Sequence, residues 1–266
     1  MSNKSVNNIS LVNIPNSVDN AIKNLTDKPT KSIGDTFNDF WYLVFGRISQ
    51  RADEQRLQFA HDLQAYKDAL TDKIHRIPSE NRIAPSFQVT AQALENSKYC
   101  ISSEELRSLF VNLISSSMDS SYKSNIHPSF AEIIKQMSPF DALLLREFPT
   151  TKFSACPTVD YVSTDISSKK YRIDLHNVIF PRLTDFDVFQ ISKSVSSLNR
   201  FGLIAIDKTL LFSDTNAYDV FLQTDYYTEQ TQLAKLQYPK CQFEVKKYVS
   251  YLTPLGKDFV SACMHP

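Results

Sequence analysis

The sequence predicts a mainly α (α+β) protein: a polar N-terminal arm over residues 1–33, a helical domain over 34–149 and an α+β domain over 150–266. Three observations carry this. Between about residues 35 and 145 apolar side chains recur at steps of three and four, the spacing of one helix face. Helix-start signals, Ser before Pro or an acidic residue, punctuate the same stretch. From about residue 150 the texture turns to β-branched and alternating segments broken by proline.

The arm is Asn- and Ser-rich, with Pro15 and Pro29 as breakers and room for one short helix near 17–25. From Asp35 the pattern changes. Phe37, Phe40, Trp41, Val44, Phe45 and Ile48 fall on one helical face. Trp and Phe suit a membrane boundary, but Arg47 is the only cation among Asp35, Asn38 and Asp39, so a buried core face is expected rather than a membrane contact. The stripe continues through Ala52, Phe59, Leu63, Tyr66, Leu70 and Ile74 as one long or broken helix that stops at Pro78.

"IPSENRIAP" (77–85) is a Pro-bounded connector, followed by a helix over about 87–99. Ser102 and Glu105 form an S-x-x-E capping box ahead of Leu106, Leu109, Phe110, Leu113, Ile114 and Met118. Pro128 suits a first helical position before Phe130, Ile133, Ile134 and Met137. Ser138-Pro139-Phe140-Asp141 opens another helix, with Ser as cap and Asp at the positive end of the dipole. Three capped helices joined by short connections must pack on one another, with Leu109, Phe110, Leu113, Ile133 and Ile134 at the contact.

"KKYRIDLHNVIFPRL" predicts a strand or extended segment. Thr184 and Asp187 cap a helix with Phe186, Phe189, Val195 and Leu198 inward, and Gly202 is placed for a left-handed C-cap before a strand over 203–206. "FEVKKYVSYLTPLGKDFVSACM" gives an alternating strand, Thr253 as cap, Pro254 at the first position, and Leu255, Phe259 and Cys263 inward. Helix, strand, strand and closing helix in this order read as a winged-helix-like α+β module, with an insertion of about forty residues containing a helix near 217–236.

Composition limits function. Lys plus Arg equals Asp plus Glu at 29 each, so no net charge draws the chain to nucleic acid or anionic lipid. Four glycines, Gly34, Gly46, Gly202 and Gly256, cannot build a P-loop or a dinucleotide fingerprint. Cys100, Cys156, Cys241 and Cys263 make no C-x-x-C pair and read as free thiols of a cytoplasmic protein. The N-terminus has no apolar signal core, and "FWYLVF" at 40–45 is too short to span a bilayer. The five histidines make no metal spacing, and no nucleophile elbow occurs, so no metal, cofactor or enzyme class is expected. The helix at 185–200 sets Asp185 and Asp187 against Lys193 and Arg200. Any nucleic-acid contact therefore falls to Lys235, Lys240, Lys246, Lys247 and Lys257, a weak basic region. Winged helices also serve as protein-interaction modules, and the charge favours that use here.

"IPSENRIAP", "ALENSKYCISSEELRSLFVNLISSSMD" and "HPSFAEIIKQMSPFDALLL", in this order and spacing, resemble the Abi-alpha (abortive infection alpha) family of bacterial proteins. The resemblance covers about residues 40–260 and is most specific over 77–145. It implies phage defence, in which an infected cell stops growing or dies before phage mature. It brings no catalytic residues with it. The polar positions inside the matching motifs are Asn81, Arg82, Arg107, Asn112 and His127, for which helix capping and tying are the alternative to a shared functional surface. The expected partner is a protein, either a phage or host component or a second copy of the chain.

Overall fold

A computed structural model describes residues 41, 44–45, 54–151, 155–179 and 187–264. The chain divides into two compact units, Met1–Ala60 and His61–Pro266. In the first, Trp41 and Phe45 are buried, with ring centroids 4.6 Å apart. Burial is what a core face requires of them. Phe37, Phe40 and Ile48, the arm over 1–33 and the helix expected at 17–25 lie outside the described residues. No described helix is long and apolar enough to cross a membrane.

Five helices lead the second unit: α1 (Glu54–Arg76, belonging to it from His61), α2 (Phe87–Ser97), α3 (Glu104–Ser116), α4 (Phe130–Gln136) and α5 (Pro139–Arg146). The long stripe does become α1, which ends just before Pro78 and buries Tyr66, Leu70 and Ile74. Leu109, Phe110, Leu113, Ile133 and Ile134 are all buried, and α3 packs on α2, α4 and α5. Ser138 caps α5 as expected, and with Asp141 it forms a full capping box that was expected only at Ser102 and Glu105, each side chain bonding the other's backbone N–H.

Two starts differ from expectation. The cap of α3 is Ser103, whose Oγ accepts from Leu106 N at 3.3 Å and donates to Glu105 at 2.8 Å, while Ser102 stays exposed. Only Ser102 fits the S-x-x-E spacing, since Leu106 stands three residues after Ser103, yet the turn that precedes α3 selects the second serine as the cap. Pro128 sits in a turn rather than at the first position of α4, which begins at Phe130 after Ser129.

The remaining elements are β1 (Cys156–Asp165), β2 (Tyr171–Ile179), α6 (Val188–Arg200), β3 (Ile204–Asp207), α7 (Asp219–Leu222), α8 (Asp225–Gln237), β4 (Cys241–Leu252) and α9 (Pro254–Cys263). The four strands form an antiparallel sheet in the order β2-β1-β4-β3. The architecture is therefore α+β. Helix α6 packs on β2 and α5, and α8 packs on β4. Asp187 caps α6 and Gly202 takes the left-handed conformation after it (φ 73°). Val195 and Leu198 are buried as expected, but Phe189 is 53% exposed and meets the Tyr226 ring edge-on. Ser194 takes an inward place on α6 instead, because buried Asp141 offers an acceptor: Ser194 Oγ donates to it at 2.5 Å and Ser197 Oγ at 3.3 Å. The insertion holds two helices, α7 and α8, rather than one.

Helix α9 returns to the first helices. Thr253 caps it, Pro254 opens it, and Phe259 meets Phe130 of α4 edge-on at 5.1 Å. Its register is demanding. A β-carbon on Gly256 would lie 1.9 Å from the carbonyl oxygen of Leu203, so only glycine allows this approach.

Candidate functional site

The five polar positions in the motifs do not converge on one point. Arg82 donates from Nε to the Ile77 carbonyl (2.9 Å) and from Nη2 to the His75 carbonyl (3.0 Å), satisfying groups left open where α1 ends. Asn81 lies beside it in the 3-10 turn Ser79–Asn81. His127 accepts at Nδ1 from Ser129 N (3.2 Å) and shares a 2.7 Å hydrogen bond with the Ser129 hydroxyl, holding the turn into α4.

Arg107 and Asn112 do come together. Both line a cleft of about 500 Å3 between α1, α3 and the residue after α9, Met264. Asn112 is buried. Its Nδ2 donates to the Cys263 carbonyl at 2.7 Å, which fixes the amide so that Oδ1 faces the Lys73 ammonium and accepts from it. Burial first, and then the neighbouring Arg76 charge, push the Lys73 pKa below the usual lysine value. Arg107 donates to the Ile101 carbonyl at 2.9 Å and stands 3.5 Å from Asp62. Lys73 and Arg76 were not legible as site residues, because cations in the last turn of a helix are what the helix dipole favours anyway.

The five lysines of the basic region are not assembled on one face. Lys246 and Lys247 are successive residues of β4 and point to opposite sides of the sheet. Lys246 lies over the Tyr171 ring and bonds Glu244 (3.0 Å), whereas Lys247 lies over Tyr218. Lys235 is on α8, Lys257 on α9, and Lys240 just before β4.

A buried polar cluster sits on the sheet. Asp160 of β1 is 3% exposed and accepts from Tyr248 Oη (2.5 Å), Lys208 Nζ (2.5 Å) and the Asn177 backbone N–H (2.9 Å). Here β2 carries an extra residue between Val159↔Val178 and Tyr161↔Leu175, and Asn177 has φ 53°. Every partner of Asp160 comes from another element, so no local signal pointed to it. The cluster is satisfied internally and secures the bulge. Among the described residues no group of three or more His, Cys, Asp or Glu could hold a metal ion.

The insertion between β3 and β4 is unusual in its exposed apolar content. Of the twelve exposed large apolar side chains among the described residues, seven lie there: Leu210, Leu211, Val220, Leu222, Leu233, Leu236 and Tyr238. Leu211 is 63% and Leu236 83% exposed. Among the described residues they are concentrated in this one segment of the sequence rather than scattered along it.

No curated protein and no solved structure matches the chain. The family description "Abortive infection alpha" matches residues 58–263, which takes in the capped helices, the cleft, the sheet and the insertion. The match covers most of the sequence, and the chain belongs to the abortive infection alpha family.

Proposed function

We propose that the chain is a phage-defence protein of the abortive-infection kind that acts by binding a protein partner rather than by catalysis. The observation that carries this reading is the insertion, where seven of the twelve exposed large apolar side chains among the described residues lie between Leu210 and Tyr238. Family membership supplies the biological setting. In this reading the elements α6, β3, β4 and α9 serve as a winged-helix-like interaction module, with α7 and α8 as its inserted contact segment. The partner is a phage or host component or a second copy of the chain, and the site of action is the cytoplasm. The dispersed lysines make the DNA-reading alternative the weaker one, and the buried Trp41 and Phe45 do the same for the membrane alternative.

The test is phage plating on cells with and without the gene, with survival counted at high multiplicity. The reading expects fewer plaques with the gene present and death or arrest of the infected cells. Equal plating on both strains across a broad phage panel contradicts it.

A further inference from the structure

The cleft between α1 and α3 has features that protein association through the insertion leaves unexplained. Lys73 is half-buried and donates to a neutral amide oxygen, Asn112 Oδ1, rather than to a carboxylate. Arg76, three residues on, makes no ion pair among the described residues, and neither cation pairs with Asp72 or Glu104 in the same lining. Cations at the end of α1 complement its dipole without needing a cleft. That accounts for His75 and Arg76 but not for an ammonium drawn partly out of water onto an amide that Cys263 holds in place. The volume, about 500 Å3, falls within the range of small-ligand sites, roughly 300–1,000 Å3.

We propose that this cleft binds a compact phosphate-bearing small molecule of mononucleotide size, with the phosphate on Lys73 and Arg76 and the body along Ala65, Ala69 and Val111. Residues three apart on a helix are neighbours, so a point-charge ammonium and a forked guanidinium converge on the oxygens of one phosphate. The two alanines, one helical turn apart on α1, leave a low apolar wall against which a planar ring fits, and Val111 of α3 faces the same space. Asp72 and Glu104 argue against an extended nucleic acid, whose successive phosphates need a row of cations rather than alternating charge. The phosphate is held by side chains, so the scarcity of glycine is no obstacle. An incoming anion also relieves the depressed pKa of Lys73, since it restores a counter-charge to the ammonium.

The experiment is calorimetric titration of the full chain with AMP, ribose 5-phosphate, adenosine, inorganic phosphate and a single-stranded oligonucleotide. AMP is expected to bind saturably and at least about tenfold more tightly than adenosine or inorganic phosphate. Ribose 5-phosphate matching AMP supports the same site and assigns it to sugar phosphates; ribose 5-phosphate binding more weakly assigns it to nucleotides. Lys73→Met and the exposed Arg76→Gln are each expected to weaken AMP binding by about tenfold or more. Inorganic phosphate binding as tightly as AMP, tighter binding of the oligonucleotide, or unchanged AMP binding in Arg76→Gln overturns the proposal. So does the absence of saturable binding by every phosphate probe. None of these results bears on whether the insertion carries phage protection, which plating measures separately.

Discussion

Asn112 on α3 donates a 2.7 Å hydrogen bond to the carbonyl of Cys263, 151 positions further along the chain. One turn on, Ser116 Oγ donates to the Ala262 carbonyl at 2.9 Å. The last carbonyls of α9 have no partner within their own helix. Two side chains of α3 supply those partners, so the docking of the final helix is specified by polar pairing as well as by the Phe130–Phe259 contact.

Replacing Asn112 by Leu therefore costs more than its packing suggests. The Cys263 carbonyl loses its partner where water has little access, an unsatisfied buried group costing about 1–3 kcal/mol, while the half-buried Lys73 ammonium loses its acceptor. Urea denaturation should show a clear fall in midpoint. An unchanged midpoint means that water replaces the amide and that the tie is dispensable.

Leu113 is fully buried where α3 meets its neighbours. Leu113→Ala should destabilise by about 2–5 kcal/mol, through lost transfer energy and the residual cavity. The same denaturation series reads this, and a loss below the range implies that the helices close over the gap.

Gly256→Ala provides a test of sign. Alanine favours a helix over glycine by about 1 kcal/mol, so propensity alone predicts stabilisation. The Leu203 carbonyl at 1.9 Å from the new β-carbon predicts the reverse, because backbone on both sides must move. Thermal melts should show a lower transition, and a raised one shows that α9 can shift away from β3 without penalty.

The tyrosines set an alkaline limit. Burial pushes the Tyr161 hydroxyl, which donates to the Phe221 carbonyl at 2.9 Å, up to about 12 from an ordinary 10.0. Burial also raises Tyr66 and Tyr248. Between pH 10 and 12 the unfolded chain releases protons that the folded chain retains. This contribution to stability is thus complete below pH 10 and is lost as pH rises through 12. Tyr161→Phe should be less stable at neutral pH and show a shallower decline above pH 10. An unaltered slope would place the limit in the other tyrosines.

Legibility followed the range of the signal. Ser138 with Asp141, Gly202 and Thr253-Pro254 were readable because each feature is decided within a few residues. The buried stripe from Leu109 to Ile114 was readable from its spacing. The S-x-x-E spacing pointed to Ser102 while the turn before α3 makes Ser103 the cap, and Phe189 is exposed where Asp141, far away in sequence, takes hydrogen bonds from Ser194 and Ser197 of α6. Of the cleft, Arg107 and Asn112 were singled out through the family motifs, whereas Lys73 and Arg76 resemble ordinary helix-end cations. Asp160 and the exposed leucines of the insertion depend on which segments fold over which, and that is tertiary information.

The central claim is that protection runs through the insertion, and one plating measurement addresses it directly. Leu211 and Leu236 are well exposed, so the double variant Leu211→Ser, Leu236→Ser should fold as the parent does, with surface changes costing within about 0.5 kcal/mol each. Its efficiency of plating is predicted to rise to that of cells without the gene, while its melting transition and expression stay at parental values. Full protection from the same folded variant contradicts the account.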